Sequence, residues 1–284
     1  MTITLEAPPT RRSIRASKPK NLRVITVWGP QGSGKSTIAL NLAAELAKGK
    51  DRVLLIDADT HAACLTTALS LTDHPAGLAP MLRFARQSRL GPTEFESQSL
   101  KLRSANATFT LIPGINPNRW PEVTPQAFEL LLDSSVQQFD YVIIDTAATI
   151  ETGLYSSAQP LERNEFTRWL IRSSELLVVT FAVDPVSIAR FLNSEPELQE
   201  LRPEKPTLIV ANRFRTSTLG PTAKRQLEQT LKALTNRSIS AFLPNDPKSQ
   251  DAAMKNGTPL SGSRSKSSLR KAIAQLVREK KLAG

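Results

Sequence analysis

Short apolar runs, each closing on a polar or glycine-rich turn, recur along the chain: Val24–Trp28, Val53–Ile56, Phe109–Ile112, Tyr141–Ile144, Leu176–Val179, Leu208–Val210 and Ile239–Phe242. Their length and their wealth of valine and isoleucine predict buried strands. Between several of them, apolar residues return every three or four positions, which predicts helices. Ser36–Lys48 sets Ile38, Leu42 and Leu46 on one face, Leu65–Leu71 and Leu78–Gln87 follow, and Thr124–Gln138 is amphipathic with Thr124 as its cap. The last stretch, Ser267–Lys281, places Leu269, Ile273, Leu276 and Val277 on one face and basic residues over much of the rest. Charge-free strands alternating with helices predict an α/β fold, a mostly parallel sheet in a three-layer α/β/α arrangement with right-handed crossovers. No repeat and no linker divides residues 21–284, which read as one domain. Residues 1–20, with Pro8-Pro9, several basic residues and little apolar period, read as a disordered basic tail.

The first strand and the first helix enclose the sharpest local pattern. Gly29-Pro30-Gln31-Gly32-Ser33-Gly34-Lys35-Ser36-Thr37 matches G-x-x-x-x-G-K-[ST] in full. At average residue usage such a match arises by chance in about one chain of this length in a hundred, and the flanking strand and helix lower that further. A strand, a glycine-rich turn and a helix bring successive backbone N–H groups and the positive end of a helix dipole to one point. Gly29, Gly32, Ser33, Gly34, Lys35, Ser36 and Thr37 therefore form the candidate phosphate cradle. Lys35 is placed to reach the terminal phosphates, and the Ser36 hydroxyl to ligate Mg2+.

Composition narrows the setting. No apolar run approaches membrane-spanning length and no signal-peptide pattern opens the chain. The lone cysteine, Cys64, cannot form an internal disulfide, which favours a reducing, cytoplasmic setting. His61 and His74, without a second cysteine, make no metal site. Net charge is +11 and sits at the ends. Residues 1–22 hold five basic residues against Glu6, and residues 264–284 hold seven against Glu279. Between them the body is nearly neutral. Basic ends suit a polyanion such as DNA, and equally suit solubility. An anionic membrane fits the C-terminal helix less well, because no aromatic residue is there to anchor it.

Other strand ends carry the remaining chemistry. Hydrolysis of a nucleoside triphosphate needs metal ligation, a placed water and stabilisation of charge besides the phosphate loop. Asp145 closes the apolar run Tyr141–Ile144, where such enzymes put a carboxylate near the metal. Asp57 and Asp59 close another, where carboxylates can hold metal waters or orient the attacking one, or else cap a turn. Guanine sites commonly use Asn-Lys-x-Asp, whose carboxylate reads the base. Here Asn212-Arg213-Phe214-Arg215 follows the strand, with an arginine where that aspartate would stand, so adenine and hence ATP is favoured.

These segments resemble the MinD/ParA family of P-loop ATPases from about Arg23 to the C-terminus. The phosphate loop, Leu54–Asp59, Phe139–Asp145 with Ile150-Glu151-Thr152-Gly153, and Leu243-Pro244-Asn245-Asp246 with Gly257-Thr258-Pro259-Leu260 carry the resemblance. It implies ATP and Mg2+ sandwiched in a homodimer, Asp59 as the residue that positions water, and Asn212, Pro244 and Asp246 around adenine. It further implies a positioning ATPase whose partner is DNA with a ParB-like protein, or a pilus, secretion or division machinery. One position departs from the pattern. The family usually carries a second lysine early in the loop, reaching the partner's phosphates, and here that position is Pro30, followed by Gln31 where glycine is usual. The altered loop is similar to the CpaE/TadZ branch, without the N-terminal receiver-like domain common there. Loss of the lysine leaves three readings: slow hydrolysis, a non-hydrolysing scaffold that binds nucleotide structurally or not at all, or a substitute cation, for which Arg163 is the candidate. A small-substrate ligase on the same fold is a more distant alternative.

Overall fold

The computed structural model describes residues 23–49, 51–151, 158–216, 220–262 and 266–279. The basic tail expected over residues 1–20 lies outside them, as do Arg264, Lys280 and Lys281 of the basic C-terminal stretch. Eight strands form one sheet: β1 (Arg23–Trp28), β2 (Val53–Ala58), β3 (Leu100–Ser104), β4 (Ala107–Ile112), β5 (Tyr141–Thr146), β6 (Leu176–Ala182), β7 (Thr207–Phe214) and β8 (Ile239–Pro244). The α-helices among the described residues are α1 (Lys35–Leu46), α2 (Leu65–Ala68), α3 (Leu78–Arg86), α4 (Pro92–Gln98), α5 (Pro125–Ser135), α6 (Ala158–Ser173), α7 (Pro185–Leu201), α8 (Ala223–Thr235), α9 (Pro247–Lys255) and α10 (Ser268–Glu279).

The strand order is β3-β4-β2-β5-β1-β6-β7-β8, and every neighbouring pair is parallel except β3 with β4. The α/β class and the mostly parallel sheet are as the sequence predicts. The antiparallel edge strand β3 is not among the expected strands. Leu100-Lys101-Leu102-Arg103-Ser104 pairs residue for residue with β4 and leaves Lys101 and Arg103 exposed. Basic side chains on an outermost strand discourage further pairing and also hide the strand from an apolar-run search.

Side chains of the central strands alternate between two covered faces. Ile25, Leu55 and Ile143 pack with α1 and α10, whereas Val24, Leu54, Ile56, Val142 and Ile144 pack with residues of α3, α5 and α6. A third cluster joins Trp28, Val179, Phe181 and Ile209 to α7 and α8. Both faces being dry explains why these strands read as unbroken apolar runs. The C-terminal helix shows the same logic. Leu269, Ile273, Leu276 and Val277 are all buried against α1 and β8, each worth about 1.5–3 kcal/mol of transfer free energy. Its apolar face is therefore committed to the core and not to a lipid surface.

Candidate functional site

The C-terminal ends of β1, β2 and β5 lie side by side, and the register sets Asp57 opposite Asp145 across the β2–β5 pair and Val27 beside Asp145 across β1–β5. Residues far apart in sequence thus reach one edge of the sheet, where open α/β sheets hold ligands. The phosphate-loop pattern leaves β1 here. Its turn closes by the Ser33 amide donating to the Pro30 carbonyl at 3.1 Å. At Gly34, φ is +88° and a Cβ would stand 2.4 Å from the Asn212 amide nitrogen. At Gly29 a Cβ would stand 2.2 Å from the Thr180 carbonyl oxygen. Only glycine meets both demands, one conformational and one of space.

Lys35, the first residue of α1, pairs with Asp59 at 3.1 Å. Burial alone would favour the neutral amine, but the carboxylates of Asp145 and Asp59 outweigh it and hold the lysine above its ordinary pKa. Asp59 uses its other oxygen to accept from the His61 and Ala62 amides, both at 2.9 Å. Asp57 accepts from the Cys64 and Leu65 amides at 2.9 Å and so folds the loop after β2 back over the site. Asp145 is different. Both of its oxygens are buried without accepting a hydrogen bond, although the Ser36 hydroxyl is near enough to ease its charge. Burial, with repulsion from Asp57, raises its proton affinity well above the carboxylate range. Burial raises that of Asp57 too.

This arrangement fits Mg2+ and phosphate on two grounds. A buried carboxylate with nothing donating to it is costly unless a cation or a metal-bound water completes it. Ser33 Oγ is likewise buried and unpartnered at the turn of the loop. No cluster of three His, Cys, Asp or Glu forms a metal cage among the described residues. Mg2+ shared with substrate phosphates does not need one. Ser36 and Asp145 are the residues that would hold it, with Asp57 one strand away in register.

The residues expected around the base sit at the ends of β7 and β8. Asn212 is buried, donates to the Ser33 carbonyl at 2.9 Å and accepts from the Arg213 amide, so it braces the phosphate loop from β7, with β6 lying between that strand and β1. Pro244 pairs opposite Phe214. Asp246 caps α9 through the Ser249 amide, and its second oxygen accepts from the Ser267 hydroxyl at 2.8 Å and the Leu269 amide at 3.3 Å, where α10 begins. Arg163 bonds the Thr60 and Pro117 carbonyls and lies over the Trp120 ring. These bonds tie Nη2 to the loop after Asp59, while Nε is buried without a partner.

A cavity of about 500 Å³ opens in front of the loop, lined by Pro30, Gln31, Lys35, Asp59, Glu151 and Arg190 among others. Arg190, on α7, donates to the Gln31 carbonyl at 3.1 Å. Sequence reasoning did not single it out, because 159 residues separate the pair. The one available signal was the Asp184-Pro185 helix start, which places Arg190 in the second turn of a helix leaving the same sheet edge.

Residues 25–260 match the family model described as the CobQ/CobB/MinD/ParA nucleotide binding domain. The septum site-determining protein MinD of Thermotoga maritima is 28% identical over 140 residues, 49% of each chain, so this chain spans about half the length of the curated relatives it matches. Among solved structures, a ParA family ATPase from Chlorobium tepidum superposes with a TM-score of 0.70 at 22% identity, covering 89% of this chain and 97% of that one. MinD of Pyrococcus horikoshii complexed with Mg-ADP superposes with 0.69 at 20% identity, covering 93% and 98%. At these identities the superpositions establish the fold.

Proposed function

Because the chain belongs to the CobQ/CobB/MinD/ParA nucleotide-binding domain family, we propose that it is an ATP-binding switch of the MinD/ParA kind, a slow ATPase that dimerises on Mg2+-ATP and thereby positions a partner. The observation that carries this is the convergence of Lys35, Ser36, Asp59 and Asp145 on one glycine-rich loop at the sheet edge. Mg2+, when bound, would neutralise charge on the phosphates. Lys35 binds the terminal phosphates, Ser36 and Asp145 hold the metal, and Asp59 accepts a hydrogen bond from the attacking water and aligns it. Asn212, Pro244 and Asp246 border the adenine.

Pro30 in place of the usual lysine supports slow turnover, and with it a long-lived nucleotide-bound state. Several surfaces suit such a switch. The basic ends support nonspecific DNA binding with a ParB-like activator, and the loop's likeness to the CpaE/TadZ branch supports a pilus or secretion platform. A cytoplasmic setting accords with both; no helix among the described residues is long and apolar enough to cross a membrane.

The test is ATP binding and turnover by the full chain, with its oligomeric state, with and without Mg2+. Lys35→Ala is expected to weaken ATP binding about a hundredfold, the scale of two or so lost charge-assisted hydrogen bonds. Asp59→Ala is expected to bind ATP at least as tightly, since Lys35 is then released from its ion pair, while turnover falls by about a hundredfold or more. Wild-type protein that ignores millimolar ATP would overturn the reading.

A further inference from the structure

The geometry points to Arg190 as a second phosphate-contacting cation of this site, doing from α7 what a lysine at position 30 would do from the loop itself. This rests on the nucleotide reading above. Position 30 is a proline and supplies no charge. Arg163, the other candidate, turns Nη2 to the Thr60 and Pro117 carbonyls and is not among the residues lining the cavity in front of the loop. Arg190 is exposed, lines the cavity that Lys35 and Asp59 also line, and holds only the neutral Gln31 carbonyl in that direction.

Among the described residues no carboxylate forms an ion pair with Arg190. Glu197, an acidic side chain about two turns along α7 that shares the cavity, is paired with Arg168. A guanidinium presents five donors in a fixed fork, so one bond to Gln31 leaves the others for an anionic oxygen. Its contact one residue past Pro30 puts it at the edge of the loop from which the missing lysine would have acted. The ligand is the terminal phosphate of a nucleoside triphosphate, either the one held by the same subunit or the one held by a second copy closing over the cavity.

The experiment compares wild type, Arg190→Ala and Arg190→Lys in the full chain. Affinities for fluorescently labelled ATP and ADP, ATP turnover and thermal unfolding are measured. The expected result is that Arg190→Ala weakens ATP about tenfold or more, the loss of a charge-assisted bond. ADP affinity and the unfolding temperature should hold, and Arg190→Lys should recover much of the preference for ATP. A purely structural role would move ADP and the unfolding temperature together with ATP, and would sink the inference. Unchanged ATP affinity and turnover in Arg190→Ala, with wild type active, would also sink it while sparing the nucleotide reading. Failure of wild type to bind either nucleotide would remove both. Mixing Arg190→Ala with Lys35→Ala assigns the source of the phosphate. Restored turnover means Arg190 acts across two subunits, because one site then has both cations, and absent restoration means it acts within one.

Discussion

Asp145 sits at zero exposure with both oxygens unpartnered, and together with buried Asp57 it governs how the site responds to pH. Burial and the neighbouring Asp57 raise its proton affinity, so the folded protein holds a proton at pH values where the unfolded chain has released it. By linkage, the ligand-free protein loses stability as pH rises above the ordinary carboxylate range. Mg2+ competes with that proton, so metal affinity rises over the same interval. We expect Asp145→Asn to flatten the decline, to stabilise the ligand-free protein at pH 8 by about 1–3 kcal/mol, and to abolish the Mg2+-dependent rise in ATP affinity. Chemical denaturation at pH 5 and pH 8, with and without Mg2+, reads all three. A decline unchanged in the variant would assign the effect elsewhere.

Among the elements, α9 and α10 depend on one carboxylate. Burial would raise the Asp246 pKa, but bonds from the Ser267 hydroxyl, Ser249 and the Leu269 amide outweigh it and hold the pKa near about 2. A depressed carboxylate contributes stability above the unfolded value and loses it as pH falls through the folded one. Asp246→Ala should therefore destabilise the protein by about 1–2 kcal/mol near neutrality, with the difference from wild type closing between pH 4 and pH 2. Denaturation midpoints across that range check it. Most of this level was legible in the sequence, for physical reasons. Parallel strands bury both faces and end at a common edge, so apolar runs closed by Asp57, Asp59 and Asp145 already imply one cluster. The four apolar residues of α10 announced its packing in the same way. What stayed hidden depends on contacts that no local pattern encodes. These are β3 with its alternating basic residues, the brace from Asn212 to Ser33, the double cap by Asp246, and Arg190 reaching Gln31 from α7.

For the whole molecule, charge is segregated from chemistry. The net +11 belongs almost entirely to residues 1–22 and 264–284, while the candidate site sets Lys35 among Asp57, Asp59 and Asp145. α10 anchors the C-terminal group by its buried face and leaves Lys271 and Arg278 outside. Binding to nonspecific duplex DNA should accordingly be electrostatic, weakening about a thousandfold between 50 and 200 mM salt if about six phosphates are met. Replacing Arg11, Arg12 and Arg15 with alanine should weaken binding uniformly across sequences and reduce the salt slope by about two to three. Fluorescence anisotropy against salt measures both, and a salt-independent affinity would contradict the electrostatic account. ATP turnover in the absence of DNA should not change.

The contact between Lys35 and Asp59 has an implication for timing. At rest the carboxylate serves as the lysine's stand-in anion, so each group keeps the other idle. On the proposed function, an arriving phosphate would draw the ammonium away and in the same movement free the oxygen that steers water. On that reading the arrival of the phosphate itself would release the carboxylate for its task, without any separate lock.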